Sequence, residues 1–352
     1  MTQRRDTSAI VTGGAGFIGS HLVDRLLAAG GRVTVIDDFS TGSLANLAQH
    51  HGNPALTVRE ASILDARAME EIVAGHDCVF HLACRNVRLS LRHPTIVHEV
   101  NATGTLNVLK AAAKARVRRF LYCSSSEVNG TAEQVPMPED YHFKPETIYG
   151  ASKLAGEYYT QVFQRSGWCP TVIVRPHNNY GPREHYQGDK GEVIPRFILW
   201  ALSGKPPVVY GSGGQTRDFT YVEETADFLV RLMEHDPAEG TTVNLCRGDE
   251  VSILEIARII AELTGLALAP VHVPGRPSDV LRLFGDNSRL RALLGDAPGI
   301  GIRDGLARTV AWFRHNVPLS AALLDSLSVK NWEDGGRESW LPEPDMEPAA
   351  KP

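Results

Sequence analysis

The chain has 352 residues, of which 43% are hydrophobic and 22% are charged, a composition typical of ordinary globular proteins. This length allows about two domains and a core that needs neither disulfides nor a metal to fold. The formal net charge of −5 argues against a protein that binds nucleic acid or an anionic membrane mainly through charge. No stretch approaches the roughly 18 apolar residues of a membrane-spanning helix, and the N-terminal pattern predicts neither a signal peptide nor an anchor.

The cysteines form no CxxC pair, and four of the five lie in apolar or strand-like stretches. We therefore expect buried, reduced thiols in a cytoplasmic protein and no metal site. Their positions are Cys78, Cys84, Cys123, Cys169 and Cys246.

The first half of the sequence alternates short apolar runs with longer segments of helical spacing. Strands are predicted at 8–12, 32–37, 77–83, 119–124 and 171–175. Helices are predicted at 17–29, 95–115 and 147–165. Apolar strands that alternate with amphipathic helices predict an α/β fold with a parallel sheet covered on both faces.

The composition changes after Pro176. Residues 177–220 are rich in Gly, Pro and polar residues, with a helical stretch at 194–202, as in segments that build a substrate site. A further strand is predicted at 242–245, and further helices at 253–263 and 303–315. We predict a first domain over 1–176 to which 220–248 returns, a mainly substrate-binding lobe over 177–320, and a partly disordered tail over 321–352.

A glycine-rich turn joins the first predicted strand to the first predicted helix. Gly13, Gly16 and Gly19 have G-x-x-G-x-x-G spacing, with Phe17 and Ile18 between the last two. Such glycines permit a tight turn and a close approach of the backbone to a pyrophosphate, which lies at the amide-rich helix N-terminus. Because a strand precedes the motif and a helix comes after it, the turn predicts a dinucleotide site.

An acidic residue at the end of the second strand indicates which dinucleotide the turn would bind. Asp37 stands 18 residues beyond Gly19, where a carboxylate can accept hydrogen bonds from the adenosine ribose hydroxyls. It would repel a 2′-phosphate, and no Arg or Lys occurs from 39 to 48 to bind one. The pattern favours NAD over NADP, with Asp38 as the alternative ribose ligand.

Tyr149 and Lys153 are four residues apart and therefore on one face of a predicted helix. A cationic lysine lowers the pKa of a nearby phenol, whose phenolate can take a proton from a substrate hydroxyl while hydride leaves for a nicotinamide. Ser124, Ser125 and Ser126 come directly after a predicted strand, at the edge where ligands bind in open α/β sheets. One of these hydroxyls can hold the reacting oxygen beside Tyr149.

Residues 8–316, which carry all of these motifs, resemble the extended short-chain dehydrogenases/reductases that act on nucleotide sugars. The family includes UDP-glucose 4-epimerases, sugar 4,6-dehydratases and UDP-glucuronate decarboxylases. The resemblance implies a Rossmann-type doubly wound parallel sheet with a smaller C-terminal substrate-binding lobe, bound NAD, a UDP-, dTDP- or GDP-hexose substrate, and a homodimer. It rests on GGAGFIG, VIDDFSTG, HLAC, SSSEVNG, YGASK, RPHNNYGPRE, GSGGQTRDFTYV and RPSDVLRLFGDNS.

The resemblance also implies roles for individual residues. Ser125 is the serine that acts with Tyr149 and Lys153, and Asn101 matches an asparagine that stabilises the active-site helix. Asn179 matches a contact to the sugar diphosphate, and two arginines match positions that clasp that diphosphate, where a guanidinium can bind in a bidentate manner. The arginines are Arg217 and Arg276. The further cofactor contacts implied are Ser62, Ile63, Leu82 and Ala83.

The alternative reactions differ in the step after oxidation of the sugar at C4. Glu127 comes two residues after Ser125, and if the strand continues it alternates onto the same side as that serine. A carboxylate there fits a base that removes the C5 proton, as a 4,6-dehydratase needs. Many dehydratases carry an Asp-Glu pair at this point, whereas this chain has Ser126-Glu127. The 4,6-dehydratase is favoured, with a 4-epimerase and then a decarboxylase as alternatives.

Three further arginines are candidate substrate ligands, and one alternative function is not enzymatic. Arg85 and Arg88 are unusual in a loop that faces the sugar, and they either bind an anionic substrate group or face solvent. Arg282 is, with Arg85, the candidate partner of a substrate carboxylate if the reaction is decarboxylation. A non-catalytic NAD-binding protein is the remaining alternative, and the intact serine, tyrosine and lysine argue against it.

Overall fold

The computed structural model describes residues 7–188, 191–267, 269–275, 281–295 and 299–327. Its strands, in chain order, are β1 (Ser8–Thr12), β2 (Arg32–Asp37), β3 (Leu56–Glu60), β4 (Cys78–His81), β5 (Arg119–Cys123), β6 (Thr171–Pro176), β7 (Asn178–Tyr180), β8 (Val208–Tyr210), β9 (Thr216–Arg217), β10 (Phe219–Tyr221), β11 (Thr242–Leu245), β12 (Val251–Ser252), β13 (Val271–Val273) and β14 (Arg282–Leu283). Its helices are α1 (Phe17–Ala28), α2 (Ala66–Val73), α3 (Val87–Ser90), α4 (Pro94–His98), α5 (Thr105–Ala115), α6 (Ile148–Arg165), α7 (Val193–Leu202), α8 (Val222–Glu234), α9 (Ile253–Thr264), α10 (Ser288–Leu294), α11 (Ile302–Asn316) and α12 (Ala321–Asp325).

The main sheet has seven parallel strands in the order β11–β6–β5–β4–β1–β2–β3. Successive residues of a strand face opposite sides, so on β1 Ala9 and Val11 enter one apolar core while Ile10 enters the other. Helices α1 and α8 cover the first face, and α2, α5 and α6 cover the second. Because both faces are covered, the central strands β1, β4, β5 and β6 are buried at every residue, whereas the edge strand β3 is not.

A second, smaller lobe is built around a separate apolar core. Helices α7, α9 and α11 pack against one another there, with Phe197, Ile260 and Phe313 among the buried side chains. The short pairs β8–β13 and β7–β10 and the three-stranded β12–β9–β14 sheet complete this half. The lobe lies beyond the carboxyl end of β6, where the chain leaves the main sheet.

The two halves are interleaved along the chain. After β7 and β10, helix α8 returns to pack on α1, and β11 pairs in parallel with β6 at the edge of the main sheet. Of the predicted tail, α12 and Leu327 pack against the second core. Residues 328–352 lie outside the described part of the chain.

The predicted elements are close to those observed. The strands at 8–12, 32–37 and 242–245 have the predicted bounds. The helix predicted at 95–115 is divided into α4, a π-helical turn at Glu99–Gly104, and α5. Strand β3 and helices α2 and α8 were absent from the prediction.

Candidate active site

The glycine turn packs too closely for any side chain at two of its positions. Gly13 has a φ of +70°, and a Cβ there would lie 2.8 Å from the amide nitrogen of Ala83. A Cβ on Gly19 would lie 2.1 Å from the carbonyl oxygen of Gly13. The backbone therefore leaves an open turn at the N-terminus of α1, which begins at Phe17. This arrangement fits a pyrophosphate, because the first residues of α1, Phe17, Ile18 and Gly19, line the cleft and the positive end of the helix dipole lies there.

A cleft of about 370 Å³ lies at the carboxyl ends of the strands and is lined by both halves of the molecule. Its position is the one where open α/β sheets bind ligands. The predicted site residues that line it are Gly13, Gly16, Phe17, Ile18, Gly19, Asp37, Asp38, Ser62, Ile63, Leu82, Ala83, Arg85, Ser125, Tyr149, Lys153 and Asn179. The cofactor turn and the predicted catalytic residues thus share one cleft.

Asp37 and Asp38 both line this cleft, but they differ in burial and in hydrogen bonding. Asp37 is buried, and its two oxygens accept the amides of Ala15 and Phe39, each at 2.9 Å. Burial raises the pKa of Asp37, while these two backbone hydrogen bonds lower it. Asp38 is exposed and accepts from the amide and hydroxyl of Ser40. Asp37 therefore fixes the glycine turn to β2 in addition to lining the cleft.

Tyr149, Lys153 and Ser125 lie together in the cleft. Thr147 caps α6 by accepting the amide of Gly150 at 3.1 Å, so Tyr149 lies in the first turn and Lys153 in the second. The Lys153 ammonium donates to the carbonyl oxygen of Cys123 at 2.5 Å, which anchors it against the end of β5. The tyrosine, lysine and serine all line the cleft.

Burial decides the ionisation of Tyr149. Burial raises the pKa of the Tyr149 phenol, while the charge of Lys153 and a hydrogen bond with Ser125 lower it. Lys153 therefore lowers the pKa of Tyr149 in the predicted direction, but burial raises that pKa by more. The phenol is neutral at rest, with a cation and a hydroxyl placed to stabilise the phenolate when a proton moves.

Asn101 lies beneath the cleft and connects two of its walls. Its side chain accepts the amide of Arg85 at 2.8 Å and donates to the carbonyl of that residue at 3.1 Å. The same amide group donates to the hydroxyl of Ser152 at 3.1 Å, between the tyrosine and the lysine on α6. Asn101 does not line the cleft, and its hydrogen bonds instead hold the Arg85 backbone and Ser152 in position.

A chain of hydrogen bonds through His81 supports the same region. Thr12 accepts the amides of Leu82 and Ala83, each at 3.2 Å, and contacts His81 Nδ1 at 2.7 Å. His81 Nε2 contacts the hydroxyl of Thr105 at 2.9 Å, and that hydroxyl donates to the π-helical turn. Burial lowers the pKa of His81 to about 3, so the ring is neutral and its two nitrogens have opposite roles.

The predicted geometry of Glu127 is wrong in one respect. Strand β5 ends at Cys123, and Ser126–Val128 form a 3₁₀ turn whose N-cap is Ser125. The Ser125 hydroxyl accepts the amide of Glu127 at 3.2 Å, so the chain turns instead of alternating. Burial raises the pKa of Glu127, and the nearby charge of Arg217 lowers it. Neither Glu127 nor the buried Ser126 is among the residues that line the cleft.

The predicted substrate arginines are paired with acids of this chain. Arg85 Nη2 lies 3.1 Å from Asp38 Oδ2, and Arg88 Nη2 lies 2.6 Å from Glu192 Oε2. Of the two alternatives given for these arginines, the one in which they face solvent is wrong, because their side chains are 16% and 13% exposed. Of the two, Arg85 alone lines the cleft.

The remaining arginines lie outside the cleft or outside the described residues. Arg282 Nε donates to Glu250 at 3.0 Å on the β12–β9–β14 sheet, away from the cleft. Arg217 lies on β9 of the same sheet and also does not line the cleft, although its charge acts on Glu127. Arg276 lies outside the described residues.

The second lobe contributes a wall of the cleft from residues 177–220, the segment expected to build a substrate site, but of its lining residues only Asn179 was predicted. One signal was available, because the motif RPHNNYGPRE places several polar residues directly after β6. The missed residues that line the cleft include His177, Asn178, Glu184, His185, Glu192, Val193 and Phe219. Glu184 is buried, and burial together with the charge of Glu192 raises its pKa.

Two further details concern the loop after Ser126 and the five cysteines. Asn129 is buried and donates to the carbonyls of Tyr141 and His142, at 3.3 and 3.1 Å, so it closes that loop. All five cysteines are free thiols, four of them buried, with Cys84 half-buried in the cleft. Within the described ranges no group of three metal-ligating side chains occurs, and no helix is both long and apolar enough to cross a bilayer.

A family model described as the NAD-dependent epimerase/dehydratase family matches residues 9–246. The chain belongs to this family. A UDP-glucose 4-epimerase of Mycolicibacterium smegmatis is 36% identical over 310 residues, which covers 87% of this chain and 98% of that protein. A UDP-N-acetyl-alpha-D-glucosaminuronate decarboxylase of Bacillus cytotoxicus is 36% identical over 321 residues, with 87% and 97% covered.

Solved structures of the epimerase/dehydratase family have the same fold. The crystal structure of a Thermotoga maritima UDP-glucose 4-epimerase with UDP-glucose has a TM-score of 0.83 and 32% identity, and the match covers 89% of this chain and all of that one. A Streptomyces venezuelae dTDP-glucose 4,6-dehydratase with NAD bound has a TM-score of 0.82 and 30% identity, with 88% and 98% covered. The predicted family, the Rossmann-type fold and the NAD dependence are thereby confirmed. The relatives are enzymes of three reaction types, so the family alone does not select one.

Proposed function

We propose that the protein oxidises C4 of a nucleotide-linked hexose and then acts as a 4,6-dehydratase. The observation that carries the proposal is the meeting of Tyr149, Lys153 and Ser125 beside the glycine turn in one cleft. The substrate class is taken from the named relatives, which act on UDP-glucose, a UDP-linked aminosugar acid and dTDP-glucose. Glu127, bonded through its amide to the catalytic Ser125, supplies the carboxylate that dehydration needs.

The first step assigns one role to each catalytic residue. Tyr149 takes the proton of the C4 hydroxyl, Lys153 stabilises the phenolate, and Ser125 holds the same hydroxyl oxygen. NAD held beside the glycine turn would supply the acceptor for the C4 hydride and the hydride donor for the later reduction. The product of the step is a 4-keto sugar.

The second step concerns C5. The C4 ketone makes the C5 proton acidic, and a base that removes it allows the C6 hydroxyl to leave as water. Burial raises the pKa of Glu127, which moves this carboxyl toward the range where a general base works at neutral pH. Return of the hydride to C6 and of a proton to C5 then gives a 4-keto-6-deoxy sugar, which has the composition of the substrate less one water.

The test is the fate of C5 and C6 in D₂O with UDP- and dTDP-hexoses. The wild-type product should carry deuterium at C5 and have lost the C6 oxygen. Glu127→Gln should still form the 4-keto sugar but should neither exchange C5 nor release water. Glu133→Gln is the matched control, since Glu133 is an exposed glutamate in the same loop that pairs with Lys144.

The second candidate is 4-epimerisation, which needs no base at C5. It is favoured by the absence of Glu127 from the cleft lining and by the epimerases among the relatives. A product that carries no solvent deuterium at C5 and differs from the substrate only at C4 would establish it and reject dehydration. Release of carbon dioxide from a UDP-linked uronic acid would instead establish the decarboxylase.

We also propose that the enzyme is a homodimer that uses α6. Ile148, Tyr158 and Val162 are large apolar residues of this helix and are 45%, 47% and 39% exposed. Exposed apolar side chains on one helix mark an interaction surface, and the family resemblance makes a second copy the expected partner. Light scattering should give twice the chain mass, and Tyr158→Glu should give a monomer.

A further inference from the structure

The ring of Tyr122 lies against the ammonium group of Lys153. The Lys153 nitrogen is 4.8 Å from the centre of that ring, within the distance of a cation–π interaction. Tyr122 is the last residue but one of β5 and is 0% exposed, and Lys153 is 2% exposed. Water is therefore excluded from the contact, and a ring face attracts a cation most strongly under that condition.

The hydroxyl of Tyr122 fixes the position of the ring. It donates to the carbonyl oxygen of Lys153 at 3.0 Å, so the tyrosine contacts both the backbone and the ammonium of one residue. A Cβ on Gly156 would lie 2.2 Å from this hydroxyl oxygen, so α6 admits the phenol because a glycine faces it. The ring of His81 on β4 stacks with Tyr122, with their centres 5.9 Å apart. The sheet and the helix together leave the ring one position.

The Lys153 ammonium contacts two uncharged groups of β5. It donates to the carbonyl oxygen of Cys123, and it faces the ring of Tyr122. Burial raises the pKa of the Cys123 thiol to about 12 and raises the pKa of the Tyr122 phenol well above its ordinary value, so both side chains stay neutral. These contacts hold the lysine without cancelling its charge, which acts on Tyr149.

We infer that the face of the Tyr122 ring positions the Lys153 ammonium beside Tyr149 through a cation–π interaction. A carboxylate could also hold the ammonium, but its negative charge would oppose ionisation of the Tyr149 phenol. A ring face attracts the cation and adds no net charge. The inference rests on the proposed role of Lys153 in C4 oxidation, and it is independent of the reaction that comes after that step.

The groups around Tyr149 determine the pH effect that we expect. Burial raises the pKa of Tyr149 most, and the side chains that act on it are Cys84 after β4, Cys123 on β5, Ser125, and Lys153 on α6. Lys153 is the cation among them. If the ring no longer attracts the ammonium, Lys153 stabilises the phenolate less and the pKa of Tyr149 rises. The rate of C4 oxidation should then fall at a given pH, and its acid limb should move to higher pH.

The test compares Tyr122→Phe with replacement of Tyr122 by pentafluorophenylalanine. Fluorination removes the negative charge of the ring face but keeps the ring, so the two proteins differ in the cation–π interaction and little in packing. Single-turnover absorbance of NADH with UDP-glucose or dTDP-glucose measures C4 oxidation from about pH 6 to about pH 9. Relative to Tyr122→Phe, fluorination should lower the rate about tenfold near neutral pH and move the acid limb up by about one pH unit.

Two comparisons show whether the effect passes through Lys153. In Lys153→Met, fluorination of ring 122 should cause no further loss of rate, because the ring acts through the ammonium. Thermal unfolding of the cofactor-free proteins should show the same coupling, which requires no turnover. Phe120 is the matched control, since it is a buried ring two residues earlier on β5 that also packs against His81. Pentafluorophenylalanine at position 120 should leave the rate and the acid limb unchanged.

Three results would overturn the inference alone. Equal rates at every pH in the two Tyr122 proteins would show that the ring only packs. A lower rate with an unmoved acid limb would show that the ring does not act on ionisation of Tyr149. A further loss on fluorination in Lys153→Met would show that the ring acts through another group. A wild-type rate in Lys153→Met would instead reject the proposed role of Lys153, and the inference with it.

Discussion

Glu157 and Arg175 form a bidentate ion pair that solvent does not reach. Arg175 Nε donates to Glu157 Oε1 at 2.8 Å, and Nη2 donates to Oε2 at 2.7 Å. The side chains are 0% and 1% exposed. Glu157 lies one helical turn after Lys153 on α6, and Arg175 lies on β6. The pair therefore holds α6, the helix that carries Tyr149 and Lys153, against the main sheet.

Breaking this pair should be costly to the fold. Glu157→Gln leaves the Arg175 guanidinium buried without its counter-charge, and we expect the free energy of unfolding to fall by about 3–5 kcal/mol. Urea denaturation measures the change. Glu71→Gln breaks the exposed Arg67–Glu71 pair and should cost less than about 1 kcal/mol. Equal losses of unfolding free energy in the two variants would show that the buried pair stabilises the fold no more than the exposed pair does.

Tyr149→Phe should separate chemistry from binding. The ring stays, so the variant should fold and bind NAD with near wild-type affinity, whereas turnover should fall by at least about 10²-fold. Steady-state kinetics and NAD titration on the same preparation measure both. Turnover within a few-fold of wild type would exclude Tyr149 as the acid–base residue.

Gly19→Ala should disrupt the cofactor turn. Its Cβ would lie 2.1 Å from the backbone oxygen of Gly13, so the turn must shift away from the helix. We expect NAD binding to weaken at least tenfold and the free energy of unfolding to fall by about 1–3 kcal/mol. Gly301→Ala is the control, because nothing lies within 4 Å of its added Cβ. Unchanged NAD affinity in Gly19→Ala would show that the turn tolerates a side chain.

His21 should make stability fall in mild acid. Burial first, and then the charge of Arg183, lower the pKa of His21 to about 4 from 6.5. Between these values the unfolded chain binds a proton that the folded protein does not, so the free energy of unfolding falls as pH falls from about 6.5 to 4. Above pH 6.5 both states are neutral at this residue, and its contribution is constant.

The matched variant for this effect is His21→Gln. Glutamine can donate to the carbonyl of Pro182 and accept from Arg183, as the histidine does, but it does not titrate. Between pH 7 and pH 5, the wild type should lose about 2 kcal/mol more stability than the variant. Urea denaturation at the two pH values gives the difference. Parallel losses in the two proteins would show that His21 titrates alike in both states.

The sequence was most informative where a local pattern determines the geometry. The glycine turn and the Tyr149–Lys153 spacing predicted a shared cleft, because one is a backbone requirement and the other is fixed by helical periodicity. Strand β3 escaped prediction since its residues are largely half-exposed or exposed and give no continuous apolar run. Helix α8 lies in the segment that the sequence marked only as returning to the sheet.

Long-range pairing accounts for the features that the sequence did not predict. Arg85 and Asp38 are separated by 47 positions, and nothing in either local pattern shows that they meet. The 3₁₀ turn that redirects Glu127 depends on a hydrogen bond from the Glu127 amide to the Ser125 hydroxyl. A run of three serines is compatible with either a strand or such a turn, so the sequence does not decide between them. The wall from the second lobe depends on how two cores pack, which periodicity does not encode.

The order of the strands has a consequence for synthesis of the chain. The edge strand β11 and the covering helix α8 are made only after a first part of the other lobe has left the ribosome. Until then, the apolar surfaces of α1 and β6 remain open to water and to other chains. A fragment that stops at Pro176 would lack both covering elements and would keep these apolar surfaces exposed.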